Sequence, residues 1–177
     1  MDDFTRSRWT CLNDEQLLAQ CELDTYRASG PGGQKRNKTS SAVRLRHPPS
    51  GLIVIAEESR SQHENRGRAL RRLRQALYLK MREPISGGSD PASAPAIREC
   101  RTEAGRLTVG KKDPRLWPAV GFVLDVLEAT EARVSETAEL LGISTANLIE
   151  FLALNPKVWE QVQHLRGRFG QKPLRTT

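Results

Sequence analysis

Apolar and polar residues alternate along this chain with two different periods, and the change between them outlines the fold. Asn13 and Gln16 form a capping box, with Leu12 placed to staple onto Leu17, so a short helix is expected from about Asp14 to Glu22. Asp24 to Ala28 reads as a weak strand ended by Ser29-Gly30-Pro31-Gly32-Gly33. Ala42-Val43-Arg44-Leu45-Arg46 alternates apolar and basic, the pattern of a strand with one solvated face. Pro48-Pro49-Ser50-Gly51 turns the chain into Leu52-Ile53-Val54-Ile55-Ala56, an unbroken apolar run that predicts a buried strand. Ser61 and Glu64 make a second capping box, opening a long helix to about Met81. Leu70, Leu73, Leu77 and Met81 line one face of that helix, and Arg68, Arg71 and Arg72 lie nearly opposite.

The pattern then breaks. Residues 83–95 are rich in Pro, Gly and Ser, the composition of a linker. Beyond them the period is helical. Pro118 suits a helix start, with a helix over Ala119–Ala129. Ser135 is placed to cap a helix ending at Gly142, Ser144 the next, and Asn155-Pro156 opens a last helix with Val158, Val162 and Leu165 on one side. The expected fold is α+β: a small mixed or antiparallel sheet with packed helices over residues 1–83, carrying a Gly-Gly-Gln loop. A partly flexible linker over 84–112 and a small all-α segment over 113–177 follow.

Charge sharpens this division. The chain of 177 residues carries a net charge of +7, but Arg27–Arg82 holds fourteen basic and three acidic side chains. Asp113–Leu165 holds three basic and eight acidic ones, and a short basic tail (Arg166, Arg168, Lys172, Arg175) follows. A strongly basic body beside a Gly-rich run points to phosphate contact with a nucleic acid. No apolar stretch is long enough to span a bilayer, and the acidic start Met1-Asp2-Asp3 is unlike a signal peptide, so a cytoplasmic protein without membrane partners is expected. Cys11, Cys21 and Cys100 are odd in number and far apart, which excludes a disulfide framework or a thiolate metal site as the organising principle.

The run from Tyr26 to Leu45, Tyr-Arg-Ala-Ser-Gly-Pro-Gly-Gly-Gln-Lys-Arg-Asn-Lys-Thr-Ser-Ser-Ala-Val-Arg-Leu, carries the chemistry. It resembles the catalytic domain of class I peptide-chain release factors, which reads R-x-S-G-x-G-G-Q, then N-K-T, then S-A-V-R-L. The resemblance resumes at Ser50-Gly51 and at Arg60-Ser61-Gln62-His63-Glu64-Asn65-Arg66, similar to the family's R-S-Q-H-x-N-R, and covers roughly residues 12–82.

The resemblance implies hydrolysis of the ester joining a nascent peptide to tRNA in the ribosomal peptidyl-transferase centre. Gly32, Gly33 and Gln34 would be the catalytic residues. Glycine permits backbone dihedrals closed to other residues and a close approach of main chain to substrate. The Gln34 amide N–H would then donate to the developing oxyanion. Its side chain would orient or exclude nucleophiles, and by family analogy would be N-methylated by a glutamine methyltransferase. Large-subunit rRNA and peptidyl-tRNA are the implied partners, and no metal or organic cofactor is expected. Arg27, Lys35, Arg36, Asn37, Lys38, Thr39, Arg44, Arg46, Arg60, Arg66, Arg68, Arg71 and Arg72 are the candidate RNA contacts. Lys35-Arg36 departs from the uncharged or His-Val pair usual in the family.

His47, at a Pro-rich hairpin, and His63, in a first helical turn, join no Asp or Ser motif and are expected to play local structural roles. About a dozen residues precede the first helix, so the catalytic domain is expected without a codon-recognition domain, as in ribosome-rescue hydrolases. Thr137–Leu148 resembles a helix-turn-helix, yet its second helix holds no Lys or Arg, which disfavours DNA as a partner. A helical bundle meeting a protein partner fits that charge better. A non-catalytic RNA- or ribosome-binding module and, less well, a DNA-binding regulator are the alternatives.

Overall fold

The computed structural model describes residues 5–26 and 41–175. The chain divides into two compact units, Met1–Leu77 and Tyr78–Thr177.

The first unit opens with two short helices, α1 (Arg6–Thr10) and α2 (Asp14–Ala19). The Asn13 capping box forms in both directions: Gln16 N donates to Asn13 Oδ1 at 2.8 Å, and Asn13 N donates to Gln16 Oε1 at 3.0 Å. Three strands follow, β1 (Glu22–Tyr26), β2 (Ala42–His47) and β3 (Leu52–Ala56), in the order β1-β2-β3 and antiparallel throughout. α2 stops three residues before Glu22 because Glu22 is already in the ladder, opposite Arg46. The long helix α3 (Gln62–Lys80) starts under Ser61, whose Oγ accepts from Glu64 N at 3.3 Å.

Val43, Leu45 and His47 of β2 are buried together with Trp9, Leu17, Leu70, Leu73 and Leu77, while Arg44 and Arg46 point outward. Each leucine taken fully out of water contributes about 1.5–3 kcal/mol. The apolar run of β3 is not buried on both faces as its composition suggests: Ile53 and Ile55 are 57% and 43% exposed. They stand opposite Arg46 and Arg44, on the outer face that the helices do not cover.

The second unit contains a 3₁₀ turn at Pro91–Ser93 and five helices: α4 (Pro95–Arg98), α5 (Leu116–Ala129), α6 (Val134–Leu140), α7 (Thr145–Ala153) and α8 (Pro156–Arg168). Its core joins Leu124, Leu127, Leu148, Leu152, Val162 and Leu165. Here 84–112 departs from a linker. Ile97, Cys100, Leu107 and Val109 are buried in this core. The buried Asn147 side chain serves both backbone groups of Leu107, accepting from its N at 2.7 Å and donating to its O at 3.1 Å. These four apolar side chains follow the Pro-, Gly- and Ser-rich stretch of 83–95 and are spaced to reach one core. The division between units falls at Leu77–Tyr78 rather than near 83. Leu79 is buried in the second unit's core, and Arg82 pairs with Asp125.

Ser144 caps α7 through Asn147 N, but Ser135 caps nothing, since α6 begins at Val134 with Arg133 as its N-cap. There Thr137 makes the buried polar contacts, donating to Arg133 O at 2.9 Å and meeting Thr130 Oγ1 at 2.7 Å.

Candidate functional site

Nine of the sequence-predicted site residues, Arg27, Gly32, Gly33, Gln34, Lys35, Arg36, Asn37, Lys38 and Thr39, lie outside the described residues. Tyr26 and Ala42 are direct partners at the end of the β1–β2 ladder, so residues 27–41 leave and rejoin the sheet at one point.

The segment between β3 and α3 touches the first end, and the first turn of α3 touches the second. Tyr26 Oη donates to Glu57 Oε2 at 3.4 Å, and burial together with the Glu57 charge raises the phenol above its ordinary value. On the other side, Asn65 Nδ2 donates to Ser41 O at 2.6 Å and to Ser59 O at 2.8 Å, while its Oδ1 accepts from Ser59 N at 3.0 Å. Asn65 is fully buried. Sequence reasoning passed over it, although a signal existed. Asn is a poor helix former, and Asn65 lies four and eight residues before Ala69 and Leu73, in the apolar stripe of α3.

The described cations fall into two groups. Arg44 faces Asp24 and Arg46 faces Glu22 across the ladder, with Nη2 to carboxylate distances of 2.9 and 2.7 Å. Arg68 stands 3.8 Å from Glu64. Arg72 reaches the Glu58 carboxylate and the Ile55 carbonyl, and its hydrogen bond holds the Glu58 carboxyl below its ordinary value. Arg60, Arg66 and Arg71 are exposed and carry no ion pair among the described residues. These three keep their charge available to a phosphate.

His47 is a packing residue. Its ring nitrogens meet Ser50 Oγ at 2.7 Å and Gln20 Oε1 at 3.3 Å, and Trp9 packs edge-on at 5.2 Å between centroids. Burial lowers its pKa, favouring the neutral ring. His63 is exposed in the first turn of α3. Burial pushes the Cys21 thiol up to about 11, so its thiolate is scarce near neutral pH. Among the described residues, no three His, Cys, Asp or Glu side chains gather where they could hold a metal ion.

In the second unit, Gly142 joins α6 to α7 with φ +64°, and Ile143 N bonds Ala138 O while Gly142 N bonds Glu139 O. The helix pair α6–α7 contains the Thr137–Leu148 run. Its second helix carries Glu150, paired with Arg106 at 2.6 Å, and no cation. Half of the tail's cations are used inside this unit. Buried Arg166 donates to Ala132 O at 2.6 Å and to Lys172 O at 2.7 Å, and Arg168 lies 2.7 Å from Glu128.

Residues 16–105 match the RF-1 domain, just over half of the chain. The chain belongs to the RF-1 domain family. The family resemblance read from the Gly-Gly-Gln run is thereby established, and the matched residues hold most of α2, the sheet, α3 and the buried Ile97 and Cys100. Peptide chain release factor 2 of Paramagnetospirillum magneticum is 47% identical over 90 residues, covering 49% of this chain and 22% of the relative. Peptide chain release factor 2 of Acidithiobacillus ferrooxidans is 57% identical over 60 residues, 34% of this chain and 16% of the relative. Peptide chain release factor 1 of Acidiphilium cryptum is 49% identical over 70 residues, 40% of this chain and 20% of the relative. The chain therefore spans about a fifth of the length of these curated relatives. No helix among the described residues is long and apolar enough to cross a membrane.

Proposed function

We propose that this RF-1 domain hydrolyses the peptidyl-tRNA ester in the ribosomal peptidyl-transferase centre and does so without reading a stop codon. The observation that carries the reading is the Gly32-Gly33-Gln34 run within an RF-1 domain, entered and left at the paired residues Tyr26 and Ala42. Water attacks the ester carbonyl, and charge develops on its oxygen and on the departing ribose oxygen. The Gln34 N–H donates to that charge, a contribution of about 2.7–4 kcal/mol to the barrier for one such donor. The Gln34 side chain orders or excludes nucleophiles, because an amide does not titrate in the useful range. It is also the atom group a glutamine methyltransferase would modify.

Arg60, Arg66 and Arg71, with the cations of 27–38, supply sequence-independent phosphate contacts to large-subunit rRNA. Support for codon independence comes from the part of the chain beyond the RF-1 domain match. The remainder, α5–α8, is a helical body with an acidic balance suited to a protein rather than a codon.

The test is peptide release from purified ribosomes holding peptidyl-tRNA, with the A site empty over a truncated mRNA, over a sense codon, or over a stop codon. Release on the truncated message, lost in Gly33→Ala and reduced in Gln34→Ala, is expected. Release confined to stop codons would refute codon independence. Binding without release in any state would leave a ribosome-binding module.

A further inference from the structure

The hydrogen-bond demands around Asn65 single it out. Three backbone groups converge on it: two carbonyls, of Ser41 and Ser59, and one amide, of Ser59. A neutral carboxamide supplies the two donors and one acceptor required, and the demands fix its orientation. Flipped, its NH₂ would face a donor and its oxygen two acceptors. Aspartate offers no donors when ionised, and leucine offers nothing.

Its partners are not equivalent. Ser59 belongs to a short segment tied to the start of α3: Ser59 Oγ donates to Glu64 Oε2 at 2.6 Å and accepts from Ser61 N at 3.0 Å. Ser41 follows Gln34 by seven residues and immediately precedes β2. Asn65 therefore connects a fixed anchor to the exit of that run. Glu57, two residues before Ser59, meets Tyr26 at its entry. The next residue along, Arg60, is one of the three exposed cations without an ion pair among the described residues.

We propose that Asn65 is a positioning residue for peptide release, acting through the Ser41 carbonyl to register the Gly-Gly-Gln run against the segment that carries Arg60. The proposal rests on the release reading above. It separates Asn65 from Arg60, Arg66 and Arg71, which hold the protein on RNA, and from Gln34, which meets the substrate. Docking should survive loss of Asn65 while the chemical step slows.

The experiment measures single-turnover release by the full chain from ribosomes carrying peptidyl-tRNA on a truncated mRNA, with protein concentration varied to separate kcat from KM. Asn65→Ala is compared with Leu17→Ala, a buried deletion in α2 that destabilises the same unit without touching Ser41 or Ser59. Asn65→Ala is expected to lower kcat by about tenfold or more with KM within about twofold, at a temperature where both variants are folded. Leu17→Ala is expected to leave kcat unchanged. Where Asn65→Ala is too unstable to assay, Asn65→Gln, which displaces the same amide by one methylene, provides the comparison. A kcat within about twofold of wild type in the assayed Asn65 variant, or an equal fall in Leu17→Ala, overturns the proposal. Wild type that binds ribosomes but releases nothing overturns the release reading instead.

Discussion

Arg44 and Asp24 stand directly opposite each other on the outer face of the β1–β2 ladder, with the guanidinium 2.9 Å from the carboxylate. The neighbouring Arg46–Glu22 pair repeats the arrangement, so this face presents two cations and two anions side by side. An exposed ion pair is worth little to stability, at about 0–1 kcal/mol. Its larger effect is on binding, because a phosphate approaching Arg44 also approaches Asp24.

A salt titration of ribosome affinity distinguishes the paired from the unpaired arginines. Replacing Arg60, Arg66 and Arg71 together by Gln is expected to flatten the log–log slope by about 2–3, close to one per contact. Replacing Arg44 and Arg46 should move it by less than about 0.5. A larger change from the second set would place the docking face on the outer sheet.

The pH dependence of the first unit should carry the mark of His47. Its folded pKa is lowered by burial, so below the ordinary imidazole value of 6.5 the unfolded chain binds more protons than the folded one. The stabilisation is complete above that value and is lost as the pH falls, at no more than about 1.4 kcal/mol per pH unit. Hydrogen exchange of the β2 amides between neutral and mildly acidic pH would show this, and His47→Gln should remove that part of the slope. Identical slopes in both proteins would contradict the assignment.

Two ion pairs in the second unit have similar lengths and should have very different worth. The Asp125 side chain is 1% exposed, lies 3.2 Å from Arg82 and accepts from Glu83 N at 3.1 Å, whereas Arg106–Glu150 is on the surface. Asp125→Ala is expected to cost about 3 kcal/mol in denaturant unfolding, because it removes the nearer carboxylate of the largely buried Arg82 guanidinium together with an acceptor of Glu83 N. Glu150→Ala should cost under about 1 kcal/mol.

Gly142 offers a way to divide backbone from steric strain. A Cβ there would sit 2.8 Å from Arg101 Nη1 at a φ of +64°. Gly142→Ala is expected to lose about 1–2 kcal/mol through the left-handed backbone, plus whatever moving Arg101 costs. Combining it with Arg101→Ala should recover only the second part, which a double-mutant comparison by urea unfolding would read directly.

Local chemistry was legible in the chain where a residue interacts within a few positions of itself. The Asn13 box, the Ser144 cap and the outward set of Arg44 and Arg46 all follow from short-range rules. What register decides was not legible. The acids opposite Arg44 and Arg46 lie twenty and twenty-four residues away, and nothing in either strand alone names its partner. Ile53 and Ile55 read as buried because an apolar run cannot say how many faces of its sheet are covered. Arg166 was legible only as one cation of a basic tail, because the carbonyl it reaches, at Ala132, lies thirty-four residues away. Of the candidate site, the glycine run was plain and its support was not, since Asn65 acts only through backbone groups brought to it by folding.

The pairing of Tyr26 with Ala42 has a genetic consequence. The ladder, the α2 cap and the Asn65 bonds are made by residues outside the glycine run, so a substitution at Gly33 is expected to leave a chain that still folds. Such a chain escapes the proteases that clear misfolded proteins and, on the proposed reading, still occupies the ribosome. Alleles that lose the chemistry should therefore behave as dominant poisons of translation, whereas alleles that break the scaffold should be recessive and silent.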